Sequence, residues 1–115
     1  MMNVAVQGTK LFSDYNVFMR AMGVALSEIN DEEFNVYSAG PAQVNSFTAE
    51  FCNLSESGLK QRGIKVKYLK VPSSYLEENI SEFDYFAFLS APHERPSKLA
   101  GIAELGGVEV GIFRY

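Results

Sequence analysis

Five short apolar runs alternate with four helical patterns, which predicts an α/β domain of three layers: one mostly parallel five-stranded sheet with helices on both faces. The character of the runs predicts the strand order. The first and fourth runs, residues 3–7 and 85–89, are almost continuously apolar, as strands covered on both faces require. The third, residues 64–71, carries Lys65, Lys67 and Lys70, and the fifth, residues 108–113, alternates Val108, Val110 and Ile112 with Glu109 and Gly111. Both patterns suit an exposed edge. The order 3-2-1-4-5 puts every run where its composition fits, and its crossovers are right-handed.

The elements follow in turn. The first strand runs into Gly8, and Ser13 or Asp14 then caps a helix to about Ile29, with Phe18, Met22, Ala25, Leu26 and Ile29 on one face. Asn30-Asp31-Glu32-Glu33 is a polar turn into the second strand, residues 34–38. Ala39-Gly40-Pro41-Ala42 leads to a helix capped by Asn45 or Ser46, with Phe47, Phe51 and Leu54 inward, and Gly58 and Gly63 mark its end and the turn after it. Pro72 stops the third strand. Ser74 and Glu77 have capping-box spacing, opening a short helix that buries Leu76, Ile80 and Phe83. Ser90-Ala91-Pro92 follows the fourth strand. Pro96 or Ser97 begins a helix through Leu99, Ile102 and Ala103, which Gly106-Gly107 ends.

Composition narrows the function classes. The 115 residues suit one domain, and 47% apolar with 21% charged residues is an ordinary globular mixture. No window has the length and apolarity of a membrane span. The start of the chain lacks signal-peptide features, so a cytoplasmic protein is expected. Cys52 and His93 are each the sole residue of their type, which disfavours a disulfide framework and a histidine-based zinc site. A net charge of −4 and a pI near 4.9 argue against a broad nucleic-acid surface. The aromatic fraction of 13% suggests a homo-oligomer, and the terminal Phe113-Arg114-Tyr115 is either a contact of that oligomer or ordinary strand packing.

In open α/β sheets, ligands bind beyond the carboxyl ends of the strands, where the order reverses. That point lies between strands one and four, so Gly8-Thr9-Lys10 and Ser90-Ala91-Pro92 should meet there, with Ser38-Ala39-Gly40 beside them. Gly8 permits close backbone approach, Thr9 offers a hydroxyl and Lys10 a point charge for an anion. The bland alternative is a tight turn with a solvated lysine. Asn45 and Ser46, at the next helix start, suit the same ligand. Phe12 either stacks on a base or packs under its loop. Asp14 and Glu50 are the carboxylates near this face, and His93-Glu94-Arg95 is either a reach over the crevice or a polar surface loop. Neither a Walker A nor a G-x-G-x-x-G pattern is present, and Ser13 and Ser38 have no histidine base nearby, so a catalytic triad is disfavoured.

Gly8-Thr9-Lys10-Leu11-Phe12-Ser13-Asp14-Tyr15 resembles the "G-S-R-x-F-x-D-Y" opening of small Rossmann-like proteins of the SLOG superfamily, relatives of the DprA and LOG families. Ser38 to Asn45 sits where that group carries "S-G-G-A-x-G-x-D", and Ala49-Glu50 follows as its "A-E" does. Ala39 and Gln43 replace family glycines, Asn45 replaces the aspartate, and nothing matches the "P-G-G-x-G-T-x-x-E" segment of the phosphoribohydrolase members. The resemblance implies a nucleotide or ADP-ribose-like ligand held by Gly8, Thr9, Lys10, Phe12, Asp14, Ser38, Ala39, Gly40, Asn45, Ser46 and Ser90. It does not support N-glycosidic hydrolysis, and a phosphoribohydrolase-type nucleotide hydrolase stays as the last-ranked alternative; no metal and no cofactor are expected. The size and acidity are also similar to those of accessory proteins of large tailed phages. That likeness implies action in a host cytoplasm, either by sequestering a nucleotide immune signal or by binding a host protein such as an aminoacyl-tRNA synthetase. The second role would use Lys65, Lys67, Lys70, Arg114 and Tyr115.

Overall fold

The computed structural model describes residues 2–27, 32–95 and 98–114. In chain order the elements are β1 (Met2–Gly8), α1 (Tyr15–Ser27), β2 (Glu33–Ser38), α2 (Ala42–Gln61), β3 (Lys65–Lys70), α3 (Ser73–Asn79) with a 3-10 turn at Ile80–Glu82, β4 (Tyr85–Ser90), α4 (Lys98–Leu105) and β5 (Glu109–Arg114). The sheet order is β3-β2-β1-β4-β5, and every neighbouring pair is parallel. Each strand lies within one residue of its predicted bounds. The predicted α/β architecture with its 3-2-1-4-5 order is the observed one.

Helix ends show where local signals held and where they lost. Asp14 caps α1: its Oδ1 accepts the Val17 N–H at 3.0 Å. Ile29, Pro96 and Ser97, named above for helix ends, lie outside the described residues. Asn45 and Ser46 do not cap α2, which starts three residues earlier, at Ala42. Gly40 has φ +94°, the Gly40–Pro41 peptide is cis, and Pro41 takes φ −65°, a value its ring fixes and a helix entrance accepts. The capping box at Ser74 and Glu77 does not form either. Pro72 directly precedes α3, no side chain caps it, and Ser73 Oγ instead accepts a 2.8 Å bond from Gln7 Nε2. Gly58 lies inside α2 rather than at its end. Gly63, at φ +77°, closes the helix, with Ile64 N–H donating to the Leu59 carbonyl at 2.8 Å. Gly107 closes α4 in the same way.

Two apolar clusters hold the layers together. On one face α1 and α2 cover Val4, Val6, Phe34, Val36, Ala87 and Leu89. Phe18 is the node of that layer, with ring centroids of Tyr15, Phe47 and Phe51 at 6.0, 5.6 and 6.2 Å. Leu54 was expected to join it but is 67% exposed, because the buried stripe of α2 runs through Val44, Thr48, Phe51, Cys52 and Leu59 and leaves Leu54 beyond its margin. On the other face Leu76, Ile80, Phe83, Leu99 and Ala103 pack on Ala5, Phe86 and Phe88. That layer is partial. α3 has only seven residues, and toward β3 the face becomes polar, with Asn35, Lys65 and Lys67 lining an open groove of 220 Å³.

Cys52 is buried in the first cluster, and burial pushes its thiol up to about 12. Iodoacetamide at pH 8 should therefore leave the native protein unmodified and alkylate it fully in urea, as intact-mass spectra would show. The folded pKa is above the unfolded one, so thiol ionisation costs the fold nothing below about pH 9 and lowers its stability as pH rises toward about 12.

Candidate functional site

The carboxyl ends of β1, β2 and β4 are stitched into one surface. The Gly8 N–H donates to the Gly40 carbonyl at 3.0 Å, and the Ala39 N–H donates to the Val6 carbonyl at 3.0 Å, which ties the loop after β2 to β1. Across the reversal of strand order, the Thr9 N–H donates to the Leu89 carbonyl at 2.8 Å and the Ala91 N–H to Thr9 Oγ1 at 2.9 Å. Farther out, the Leu11 N–H donates to Glu94 Oε1 at 2.8 Å. The three loops therefore converge as strand order predicts, and backbone bonds hold them against one another.

Gly8 is where β1 and α2 come closest. A Cβ there would sit 2.7 Å from Val44 Cγ2 and 3.3 Å from the Leu89 carbonyl oxygen. Only a residue without Cβ lets the first turn of α2 approach the end of β1 this closely. Ser38 is fully buried and its hydroxyl donates to Asn45 Oδ1. Asn45 also accepts the Tyr68 hydroxyl on its carbonyl at 3.3 Å. These bonds lock the start of α2 over β2 and β3.

The same bonds decide which groups face outward. The hydroxyls of Thr9, Ser38 and Ser90 turn inward: Thr9 accepts from Ala91, Ser38 donates to Asn45, and Ser90 donates to the Glu94 carbonyl at 3.1 Å. Phe12 is 1% exposed, so its ring belongs to the core under the first loop. Asp14 uses a carboxylate oxygen to cap α1. Ala39 and Gly40 form the half-buried wall of the second loop. Lys10, Ser46 and Glu50 are exposed, Lys10 two residues from the Gly8 contact and Ser46 in the opening turns of α2.

Electrostatically the outward feature is the start of α2. This 20-residue helix follows Pro41 and has no side-chain cap, so its first-turn N–H groups end at this edge without a side-chain acceptor. Aligned peptide dipoles add a partial positive charge there, and Lys10 carries a full one on the exposed loop after β1. Among the described residues no three His, Cys, Asp or Glu side chains converge as a metal site would need.

Two residues gained a role that spacing could not show. Glu94 bridges to the first loop, a contact between residues 83 positions apart. His93 holds φ +65°, the one non-glycine residue among those described in the left-handed region. Histidine is several-fold enriched in that region, which was the available signal for a tight turn there. The chain matches no protein-family model, no curated protein and no solved structure.

Proposed function

We propose that the chain is a binding module for a phosphate-bearing nucleotide or nucleotide-derived molecule of the ADP-ribose kind. The observation that carries this reading is the uncapped start of α2, pinned beside the Lys10 loop by the Gly8–Gly40 bond. Backbone N–H groups at a helix start accept a phosphate oxygen, and a nearby ammonium adds a charge-assisted contact. Gly40, beside which nothing lies within 4 Å of where a side chain would start, lets a phosphate approach the backbone, while Gly8 lets α2 pack against β1. The inward-turned hydroxyls act as braces of the loops and not as ligand contacts. The resemblance of residues 8–15 and 38–45 to SLOG-type loops supports the same ligand class. A module of this kind acts by withholding its ligand, the role suggested by the likeness to phage accessory proteins.

Calorimetry with ADP-ribose, NAD and cyclic dinucleotides tests the proposal. Binding is expected for at least one of them, and Lys10→Ala should weaken it about 10- to 100-fold, the loss of one hydrogen bond to a charged group. An affinity unchanged in Lys10→Ala, or no heat at millimolar ligand, would refute it.

A further inference from the structure

The outer edge of β3, together with the end of α2 that leads into it, is the most basic part of an acidic molecule. Lys60, Arg62, Lys65, Lys67 and Lys70 are five of the ten Lys and Arg residues in the whole chain, and no Asp or Glu interrupts residues 60–70. All five are exposed. The opposite edge, β5, has one cation, Arg114, and the carboxylate of Glu109.

The backbone of this edge is available. Among the described residues β3 pairs only with β2. Lys65 donates its N–H to the Glu32 carbonyl at 2.7 Å and Val71 donates to the Ser38 carbonyl at 2.9 Å. Odd-numbered residues therefore serve the ladder, and the two-residue period turns the N–H and C=O groups of Val66, Tyr68 and Lys70 to the open side.

Both faces beside that edge are hollow. On the α2 side a cavity of 430 Å³ is lined by Glu56, Lys60, Ile64 and Val66, with Gly63 and Lys65 at its rim. On the other face lies the groove of 220 Å³, lined by Lys65, Lys67 and Leu69 of β3 and by their partners Glu33, Asn35 and Tyr37 of β2. An extended segment laid along β3 would send successive side chains alternately into these two spaces.

We infer that the β3 edge receives an extended acidic segment of another protein as a sixth strand. Its backbone pairs with Val66, Tyr68 and Lys70, its apolar side chains enter the cavity over Ile64 and Val66, and its carboxylates face Lys65 and Lys67. This is strand addition, in which main-chain bonds supply affinity and alternate side-chain pockets supply specificity. Edge lysines are usually guards against pairing. Here the guard is selective: it repels the β3 edge of a second copy and admits a strand of opposite charge. A nucleic acid fits less well, because the edge presents carbonyl acceptors that phosphates cannot use, whereas the N–H groups of an added strand can.

The test uses a fluorescent eight-residue peptide of alternating valine and glutamate, followed by anisotropy at low ionic strength. Saturable binding is expected, with the Val66, Tyr68 and Lys70 amide resonances shifted. The double reversal Lys65→Glu/Lys67→Glu, at two exposed positions, should weaken binding at least tenfold. N-methylation of alternate peptide residues should abolish binding in one register and spare it in the other. Equal or tighter binding of an oligothymidylate of the same charge would overturn the inference. So would indifference to methylation in both registers, or no binding at millimolar peptide.

Discussion

Phe18→Ala is expected to destabilise the domain by about 3–5 kcal/mol, the usual loss for emptying a buried aromatic site. Phe18 has no exposed surface, and the rings of Tyr15, Phe47 and Phe51 surround it, so neighbours on two helices lose their packing partner at once. A domain of this class has about 5–15 kcal/mol in total, so the variant would sit near the limit of folding at 37 °C. Urea titration followed by circular dichroism measures the loss. Leu54→Ala is the control: with Leu54 67% exposed, its effect should stay within about 0.5 kcal/mol. Equal losses for the two would show that α1 and α2 do not share the aromatic node.

Gly8→Ala should cost about 1–3 kcal/mol, although alanine is among the smallest side chains and a good strand neighbour. The added methyl meets Val44 Cγ2 at 2.7 Å, and Val44 is fully buried, with little room to turn away. For a domain of this size that corresponds to a fall in melting temperature of roughly 4–8 °C per kcal/mol. The cause is testable by a cycle. If the clash with Val44 dominates, Gly8→Ala/Val44→Ala will cost clearly less than the sum of the two single changes. Additive losses would instead implicate the Leu89 carbonyl, 3.3 Å away, or the backbone conformation itself.

The larger architecture was legible because it depends on burial, and burial is written in runs of residue types. The fully apolar Tyr85 to Leu89 could only be interior, and Lys65, Lys67 and Lys70 could only be at an edge. With the continuously apolar first run and the alternating fifth, they fit the order 3-2-1-4-5. Helix starts were less legible because several side chains compete for one role. Ser13 and Asp14 both fit the start of α1, and Asp14 took it. At α2 the backbone turn at Gly40 and Pro41 settled the start, so Asn45 fell into the first turn and its side chain became the acceptor for Ser38.

The candidate site was legible in place and not in orientation. Strand order alone brought residues 8–10, 38–40 and 90–92 to one edge. Whether the Thr9, Ser38 and Ser90 hydroxyls faced solvent or turned inward depended on which partners folding brought to them: Ala91, far along the chain, for Thr9, and the nearer Asn45 and Glu94 for Ser38 and Ser90. A pattern of small polar residues reads the same in either case. Likewise Phe12 looked equally suited to a base or to the core, and it is buried in the cluster of Val6, Phe18 and Leu89.

The stitched loops have a thermodynamic consequence for anything that binds beside them. Flexible loops that close over a ligand must give up conformational freedom at that moment, which subtracts from affinity. Here the bonds from Gly8 to Gly40, Thr9 to Leu89 and Leu11 to Glu94 form when the chain folds. The entropy is lost once, in folding, and not again on each encounter. Association with such an edge should show a small entropic penalty and rates without a slow closing phase.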